Sequence, residues 1–188
     1  MGTLTYLKSF LKDKNVASVT PSSRRCVKHV VRKMDLSRPV VVVEYGPGTG
    51  VFTRYMLSKM QHDALLIAFE TNPDFVAKLR AIDDLRLDVR HDSVEHVKEL
   101  LGAQFMGKVD YIVSGIPFSF LEEDQKRDLL SQSRELLREG GTFLAYQTSK
   151  HLKEPLREAF GNVKTEFELF NIPPMVIYEA QKKGRLTP

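Results

Sequence analysis

The chain has 188 residues, of which 42% are hydrophobic and 28% charged. This composition is typical of a globular protein with one sizeable core. No segment approaches the roughly 20 consecutive apolar residues of a membrane-spanning helix, and the N-terminus lacks the pattern of a signal peptide. The single cysteine, Cys26, excludes an internal disulfide, and the five histidines show no metal-ligand spacing. We therefore expect one cytoplasmic domain over residues 1–188, without a metal.

The positive charge is concentrated at the N-terminus. Residues 1–38 contain nine basic and two acidic residues, a charge of +7, which leaves −3 for the other 150 residues because the whole chain carries +4. Such a basic arm suits a polyanionic partner, either an anionic membrane surface or nucleic acid. A solvated helix face is the alternative explanation, and charge alone does not decide between them.

The first 14 residues predict an amphipathic, basic helix. Their apolar side chains recur on one helical face and the lysines lie off it, a pattern that fits the interface of an anionic membrane. A second helix is predicted within residues 15–38, from near Pro21 to about Met34, with Thr20 as its candidate N-cap. The side chains predicted to contact the membrane are Leu4, Leu7, Lys8, Phe10, Leu11 and Lys12.

Apolar runs and helical patterns alternate from Val40 onward. The short connection 171–174 between the last two runs predicts an antiparallel hairpin, because a parallel crossover needs a longer segment. The sequence thus predicts an α/β doubly wound sheet, mostly parallel, with one antiparallel strand in a C-terminal hairpin. Predicted strands are 40–45, 64–70, 85–91, 109–114, 142–147, 163–170 and 175–181; predicted helices are 51–61, 73–82, 94–101, 121–138 (closed by Gly140 and Gly141) and 150–160 (ending at Gly161).

The first predicted strand ends in an acid and a glycine-rich turn, where ligands of such sheets bind. A dinucleotide site would need a third glycine at position 51, which is Val51, and a phosphate-binding P-loop would need a lysine that is missing here. The E-x-G-x-G-x-G pattern instead resembles the first motif of S-adenosylmethionine-dependent methyltransferases, in which the acid lies beside a zwitterion with a positive amino end. The residues concerned are Glu44, Tyr45, Gly46, Pro47, Gly48, Thr49 and Gly50.

Acids also follow the second and third predicted strands. Glu70 lies 22 residues beyond Gly48, a spacing at which an acid binds ribose hydroxyls in dinucleotides and in S-adenosylmethionine. We expect Thr71 beside it to contribute to the same site. Asp92 and Ser93 come next, and resemblance to the methyltransferase pattern implies that an acid here meets the adenine amino group. Capping of the following helices is the alternative role for Glu70 and for Asp92 and Ser93.

The fourth predicted strand ends in a segment suited to binding a methyl acceptor. Methyl transfer needs close approach and correct orientation, and a carbonyl near Gly115 can orient an acceptor N–H. Phe118 or Phe120 can pack against a methylammonium group by cation–π attraction, or both rings can simply cover the sheet end. Ser114 is assigned to the cofactor, Tyr146 and His151 are candidate proton acceptors or phosphate ligands, and the predicted acceptor-binding residues are Gly115, Ile116, Pro117, Phe118 and Phe120.

Four segments together resemble bacterial phospholipid N-methyltransferases, which are class I S-adenosylmethionine-dependent enzymes. They are Val43–Thr53, Glu70–Phe75, Ser114–Phe118 and Ile172–Tyr178, and Val19–Ser23 adds to the resemblance. The resemblance implies a Rossmann-like fold and S-adenosylmethionine as cofactor, with S-adenosylhomocysteine as product. It further implies N-methylation of phosphatidylethanolamine or an ornithine lipid, and a peripheral location on the inner face of the membrane.

Two alternatives remain open from the sequence. The glycine turn and the Pro-Phe segment also resemble rRNA adenine N6-dimethyltransferases, and in that case the basic N-terminal arm would contact RNA phosphates. Gly115, however, stands where that family has an asparagine, and we expect no helical RNA-binding domain because the sequence stops at residue 188. The second alternative is a non-catalytic S-adenosylmethionine-binding protein. Nothing in the sequence indicates the oligomeric state.

Overall fold

The fold is described from a computed structural model, which describes residues 23–171 and 173–184. The predicted membrane-binding helix of residues 1–14 and the predicted helix start at Thr20 and Pro21 lie outside the described residues. The strands are β1 Val41–Tyr45, β2 Leu65–Phe69, β3 Leu87–Arg90, β4 Val109–Ser114, β5 Leu137–Gln147, β6 Val163–Glu168 and β7 Met175–Gln181. The α-helices within the described ranges are α1 Arg24–Val31, α2 Val51–Leu57, α3 Pro73–Arg80, α4 Val97–Leu101, α5 Glu123–Leu136 and α6 Lys153–Phe160.

The seven strands form one sheet in the order β3-β2-β1-β4-β5-β7-β6. Strands β1 to β5 pair in parallel, whereas β7 pairs antiparallel with both β5 and β6. Strand β6 therefore points in the same direction as β1 to β5. This topology confirms the predicted α/β sheet, mostly parallel with a C-terminal antiparallel hairpin strand.

Helices cover both faces of the sheet, which explains why its central strands are apolar throughout. All six residues of β4 are buried. One core packs α4, α5 and α6 against the sheet and includes Phe143, while the other packs α1 and α2 and includes Leu144 and Tyr146. Because successive side chains of a strand point to opposite faces, the Tyr146 side chain lies on the face of the sheet that α1 and α2 cover.

Helix α1, which corresponds to the second predicted helix, is shorter than predicted and begins at a different N-cap residue. Ser23 is the N-cap of α1, and its Oγ accepts a hydrogen bond from the Cys26 backbone N at 3.1 Å. The helix ends at Val31 instead of near Met34. Its buried face is apolar, and its basic residues Arg24, Arg25 and Lys28 are exposed, as is Arg32 at its C-cap.

Several predicted elements end earlier than expected, and in two of them the residues that follow take another role. The helix predicted over 121–138 ends at Leu136, and β5 begins at the next residue, so Gly140 and Gly141 do not close a helix. They lie instead in β5, whose register against β4 shifts between Val109 and Tyr111. Strand β6 ends at Glu168 rather than at residue 170, which places Leu169 and Phe170 in the turn before β7. Gly161, with a φ of 78°, ends α6 as predicted.

We predict that Gly141→Ala lowers the free energy of unfolding by about 1–3 kcal/mol. A Cβ at Gly141 would lie 2.9 Å from the Arg138 carbonyl oxygen and 3.0 Å from that of Val109, and these backbone atoms have little room to move. At Gly161 there is open space and the constraint is the positive φ, which asparagine tolerates better than alanine.

Urea denaturation of alanine and asparagine variants at both glycines separates the two causes. Asparagine should recover part of the loss at Gly161 and none at Gly141. A Gly141→Ala protein as stable as the wild type would contradict the steric explanation.

Candidate active site

The glycine turn after β1 brings the backbone close to the loop that follows β4. Gly46 has a φ of 66°, and a Cβ there would lie 2.8 Å from the Ile116 Cγ2. At Gly48, with a φ of 55°, no atom lies within 4 Å of where a Cβ would be. The turn is therefore closed toward Ile116 and open at Gly48, where a bound molecule can approach the backbone.

Glu44 presents a buried carboxylate with one unsatisfied oxygen. Its side chain is fully buried; Oε2 accepts a hydrogen bond from the Thr53 Oγ1 at 2.7 Å, and Oε1 has no partner among the described residues. Burial raises the pKa of Glu44 to about 8; the Thr53 hydrogen bond opposes that rise and the charge of Glu70 adds to it. A buried carboxylate of this kind is stabilised by a proton or by a cationic partner.

Glu70 ties the glycine turn to the start of α3. Its carboxylate accepts hydrogen bonds from the backbone N of Gly48 at 3.0 Å and of Thr71 and Asn72 at 2.9 Å each. Burial raises the pKa of Glu70, and these three backbone donors oppose that rise. Asn72 itself caps α3, because its side chain accepts a hydrogen bond from the Asp74 backbone N. Glu70 thus joins two loops at the carboxyl edge of the sheet.

The acid after β3 lies at the same edge but is exposed. Asp92 Oδ1 accepts from the Ser93 backbone N at 2.8 Å, and Ser93 caps the short 3-10 helix Val94–His96. The His91 Nε2 lies 3.1 Å from the Thr71 carbonyl oxygen, which connects the loops after β2 and β3. The capping role that the sequence left open is therefore present at Ser93, and the exposed Asp92 carboxylate lies beside it.

The loops after β1 and β4 meet the end of β5 at Gly115. The Gly115 backbone N donates to the Tyr45 carbonyl oxygen at 2.9 Å. A Cβ at residue 115 would lie 2.4 Å from the Tyr146 hydroxyl oxygen and 3.1 Å from the Gly46 carbonyl oxygen. Any side chain at this position would displace the tyrosine. Beside it, the Ser114 Oγ is buried and has no partner among the described residues.

Tyr146 is held at this junction by stacking. Its ring lies parallel to that of Phe52, with a centroid distance of 4.1 Å and an interplanar angle of 10°. Burial raises the pKa of Tyr146 well above 10, and the negative charge of Glu44 contributes to the rise. The hydroxyl therefore stays protonated at neutral pH, so it acts as a hydrogen-bonding group and not as a base.

The structure adds two residues to the predicted site. Thr53 donates to Glu44, and Phe52 supports Tyr146. Both belong to the first turn of α2, directly after the glycine turn. In a strand–turn–helix unit this turn of the helix faces the strand end, and that is the signal from which both residues can be found in the sequence.

Two aromatic side chains of the predicted site point into the core instead. The Tyr45 hydroxyl contacts the Ser133 Oγ at 3.0 Å, so Tyr45 contributes its backbone to the turn and not its ring. Phe118 is 1% exposed and lies edge-on to Phe143 at 6.3 Å. It therefore covers the sheet end, and its ring does not face an acceptor in a cation–π contact. Phe120 is 37% exposed.

His151 lies apart from the buried group. It is exposed, and its backbone N donates to the Ser149 Oγ at 3.3 Å, in the segment between β5 and α6. That segment is at the carboxyl edge of the sheet, so His151 and Tyr146 share an edge, although one is exposed and the other buried.

Comparisons with known proteins are consistent across sequence and structure. A family model described as a methyltransferase domain matches residues 42–141. The ornithine lipid N-methyltransferase of Singulisphaera acidiphila is 29% identical over 174 residues, which are 91% of this chain and 91% of that protein.

Two solved structures share the fold over almost the whole chain. The 1,6-didemethyltoxoflavin-N1-methyltransferase of Burkholderia thailandensis, bound to S-adenosylhomocysteine, aligns with a TM-score of 0.70 at 16% identity, covering 97% of this chain and 87% of that one. The N-methyltransferase NodS of Bradyrhizobium japonicum, also bound to S-adenosylhomocysteine, aligns with a TM-score of 0.72 at 12% identity, covering 98% and 100%. At these identities the alignments establish a common fold.

We predict that the burial of Glu44 makes the ligand-free protein less stable as the pH rises. Its pKa is raised from 4.5 to about 8 in the folded protein, so between these values the folded state keeps a proton that the unfolded chain releases. The free energy of unfolding should therefore be highest below pH 4.5 for this group and fall up to about pH 8. Glu70 acts in the same direction.

Urea denaturation at pH 5 and pH 8 checks this prediction. Between the two, wild-type protein should lose on the order of 1–3 kcal/mol more stability than Glu44→Gln, which has no proton to release. Equal losses in the two proteins would contradict it.

Proposed function

We propose that this chain, which belongs to the methyltransferase-domain family, is a lipid N-methyltransferase. The model of that family matches residues 42–141, more than half of the chain. The methyl donor of that family is S-adenosylmethionine. The proposed acceptor is the amine headgroup of a phospholipid or aminolipid at a membrane surface. The observation that carries the proposal is the unpaired, buried Glu44 oxygen beside the Gly115 and Tyr146 junction, in a chain similar over 91% of its length to an ornithine lipid N-methyltransferase.

The residues at the end of β1 fit the charged end of the cofactor. S-adenosylmethionine supplies a methyl group on a positively charged sulfur and carries an ammonium group that matches the unpaired Glu44 Oε1. We assign the ribose hydroxyls to Glu70, next to the open space at Gly48. Asp92 and Ser93, at the end of the neighbouring strand, are assigned to the adenine.

The acceptor site is proposed at the end of β4. Gly115 leaves room for the Tyr146 hydroxyl, which an amine would meet as it approaches the transferable methyl group. In-line displacement depends on such a close and oriented approach. The protonated Tyr146 hydroxyl can accept a hydrogen bond from the amine and so direct its lone pair. We assign removal of the amine proton to His151, because it lies at the same edge of the sheet and imidazole is the side chain that most often serves as a general base. Phe120 borders the entrance.

The membrane as the site of reaction is supported by charge. The exposed face of α1 carries Arg24, Arg25 and Lys28, with Arg32 exposed at its C-cap. Each basic residue near an anionic surface contributes about 1 kcal/mol to binding. In the described part of the chain no helix has the length and apolarity to cross a bilayer. The amphipathic pattern of residues 1–14 would add an apolar face to this basic surface, giving a peripheral attachment at the inner face of the membrane.

We predict that the full chain transfers radiolabelled methyl groups to an amine-containing lipid. The protein is incubated with labelled S-adenosylmethionine and vesicles made from a total bacterial lipid extract, and in a parallel reaction with ribosomal RNA. After separation, label should appear in a lipid fraction and not in RNA. Label in RNA alone would mean that the acceptor is a nucleic acid and not a lipid. S-adenosylmethionine binding without any methyl transfer would favour a non-catalytic binding protein.

We predict that Tyr146→Phe lowers kcat by on the order of tenfold, because one hydrogen bond that orients the amine is lost. The KM for S-adenosylmethionine should stay unchanged, since the cofactor does not need this hydroxyl. Tyr111→Phe is the matched control: its hydroxyl accepts from the Asp35 backbone N at 2.9 Å, away from the site. If both variants kept wild-type kcat in the lipid assay, Tyr146 would have no part in orienting the acceptor.

A further inference from the structure

Three large apolar side chains are exposed within four residues at the end of β6. Phe167 is 54% exposed, Leu169 69% and Phe170 71%. We call these three residues the β6–β7 patch. Single exposed apolar residues are common on protein surfaces, but three of them within four residues indicate a candidate binding surface.

Hydrogen bonds of two neighbouring polar residues fix the loop in a conformation that leaves the patch side chains exposed. Between and beside its members, Glu168 is 7% exposed and Asn171 1%. The Glu168 Oε1 accepts from the Phe170 backbone N at 3.1 Å, and the Asn171 Oδ1 accepts from the Ser23 backbone N at 2.8 Å. The loop thus buries its polar side chains and exposes its apolar ones, the reverse of what water favours. This reversal is built into the loop.

Cationic side chains border the patch. The Arg25 guanidinium lies 4.5 Å from the centre of the Phe170 ring, and the Lys150 ammonium lies 5.6 Å from that of Phe167. The carboxylates of β6 that lie nearest to the patch are already paired with other side chains. The His29 ring nitrogens contact Glu166 at 2.6 Å and Glu168 at 3.0 Å, and Lys33 also pairs with Glu166. The border of the patch is therefore positive, like the exposed face of α1.

The patch lies at the same edge of the sheet as the candidate active site. Strand β6 points in the direction of β1 to β5, so the residues that follow it share the carboxyl edge with the glycine turn. Lys150 follows β5 at this edge, and the partly exposed Phe120 follows β4. A flat surface against the patch would therefore face the edge at which the proposed acceptor enters.

We infer that the β6–β7 patch inserts into the boundary between the headgroups and the acyl chains of an anionic bilayer. Apolar side chains buried at the interface, with basic side chains around them, are the combination that binds such membranes, and leucine and phenylalanine together suit acyl chains better than phosphates. The inference rests on the proposed function for a lipid surface as the partner. It adds a second membrane contact to that of residues 1–14, next to the acceptor entrance.

A tryptophan reporter tests insertion directly, because the chain contains no tryptophan. Full-length Phe170→Trp is mixed with vesicles of phosphatidylcholine containing phosphatidylglycerol as the anionic component. Its emission should shift to shorter wavelength and be quenched by bromine-labelled acyl chains. Leu85→Trp is the matched control, because Leu85 is fully exposed before β3, at the opposite edge, and should show neither effect.

Three outcomes of this experiment would overturn the inference. Phe170→Trp emission that does not respond to vesicles excludes insertion. Emission that is already shifted without vesicles means that another part of the chain or a second copy covers the patch. If the emission of Phe170→Trp shifts in a parallel sample with RNA but not with vesicles, the patch is a nucleic acid surface.

Removal of the apolar side chains gives an independent readout. The double variant Leu169→Ser and Phe170→Ser should bind the anionic vesicles on the order of tenfold more weakly than wild type in a flotation assay. Leu85→Ser should bind like wild type, and calorimetric binding of S-adenosylmethionine by both variants should be unchanged. Wild-type vesicle binding by the double variant would overturn the inference.

The two proposals fail in different ways. Insertion of Phe170→Trp without methyl transfer to lipid supports the patch and contradicts the proposed acceptor. Methyl transfer to lipid with wild-type vesicle binding by the double variant supports the acceptor and contradicts the patch.

Discussion

The arrangement of the site depends on one constraint, a fully buried carboxylate at the end of the central strand with a single hydrogen-bond donor. One carboxylate oxygen of Glu44 accepts a hydrogen bond from the Thr53 hydroxyl, and the other has no partner among the described residues. A protein keeps such a group only where a proton or a cation can satisfy it, and the raised pKa of about 8 shows that, without a partner, it is the proton that does so at neutral pH. The neighbouring strands β2 and β4 then bring Glu70 and Gly115 to the same edge.

The same edge connects the chemistry to the surface. The parallel direction of β1 to β6 places every loop that carries a site residue on one side of the sheet, together with the β6–β7 patch and its cationic border. A lipid amine does not leave the bilayer easily, so an enzyme that methylates it gains from presenting its acceptor entrance to the membrane. The proposed function assigns this role to the carboxyl edge of the sheet. In the described part of the chain, no helix is long and apolar enough to cross a bilayer.

Much of the fold could be predicted from the sequence because strands buried on both faces are apolar runs that alternate with helices. Strand β4 was predicted with its observed ends, and the antiparallel hairpin followed from a connection too short for a crossover. The exact ends of α1, α5 and β6 could not be predicted, since they depend on tertiary contacts. Gly140 and Gly141 resemble a helix stop, yet they serve a register shift against β4 that becomes visible only when the strands are paired.

The candidate site was predicted at its strand ends but not in its contacts. Gly115 and Tyr146 are 31 residues apart, and their exclusion of a side chain at residue 115 depends on how β4 and β5 align. The sequence likewise placed Phe118 at the sheet end without deciding whether its ring faces the ligand or the core; packing against Phe143 decides for the core.

Calorimetric titration of wild-type and Glu44→Gln protein with two ligands tests the central claim most directly. S-adenosylmethionine carries the ammonium group, and 5′-methylthioadenosine has the same nucleoside but lacks that group. Replacement of the carboxylate should weaken S-adenosylmethionine binding by about tenfold or more and leave methylthioadenosine binding unchanged. Equal affinities of both proteins for S-adenosylmethionine, or an equal loss for the two ligands, would contradict the role of Glu44 as the partner of the ammonium group.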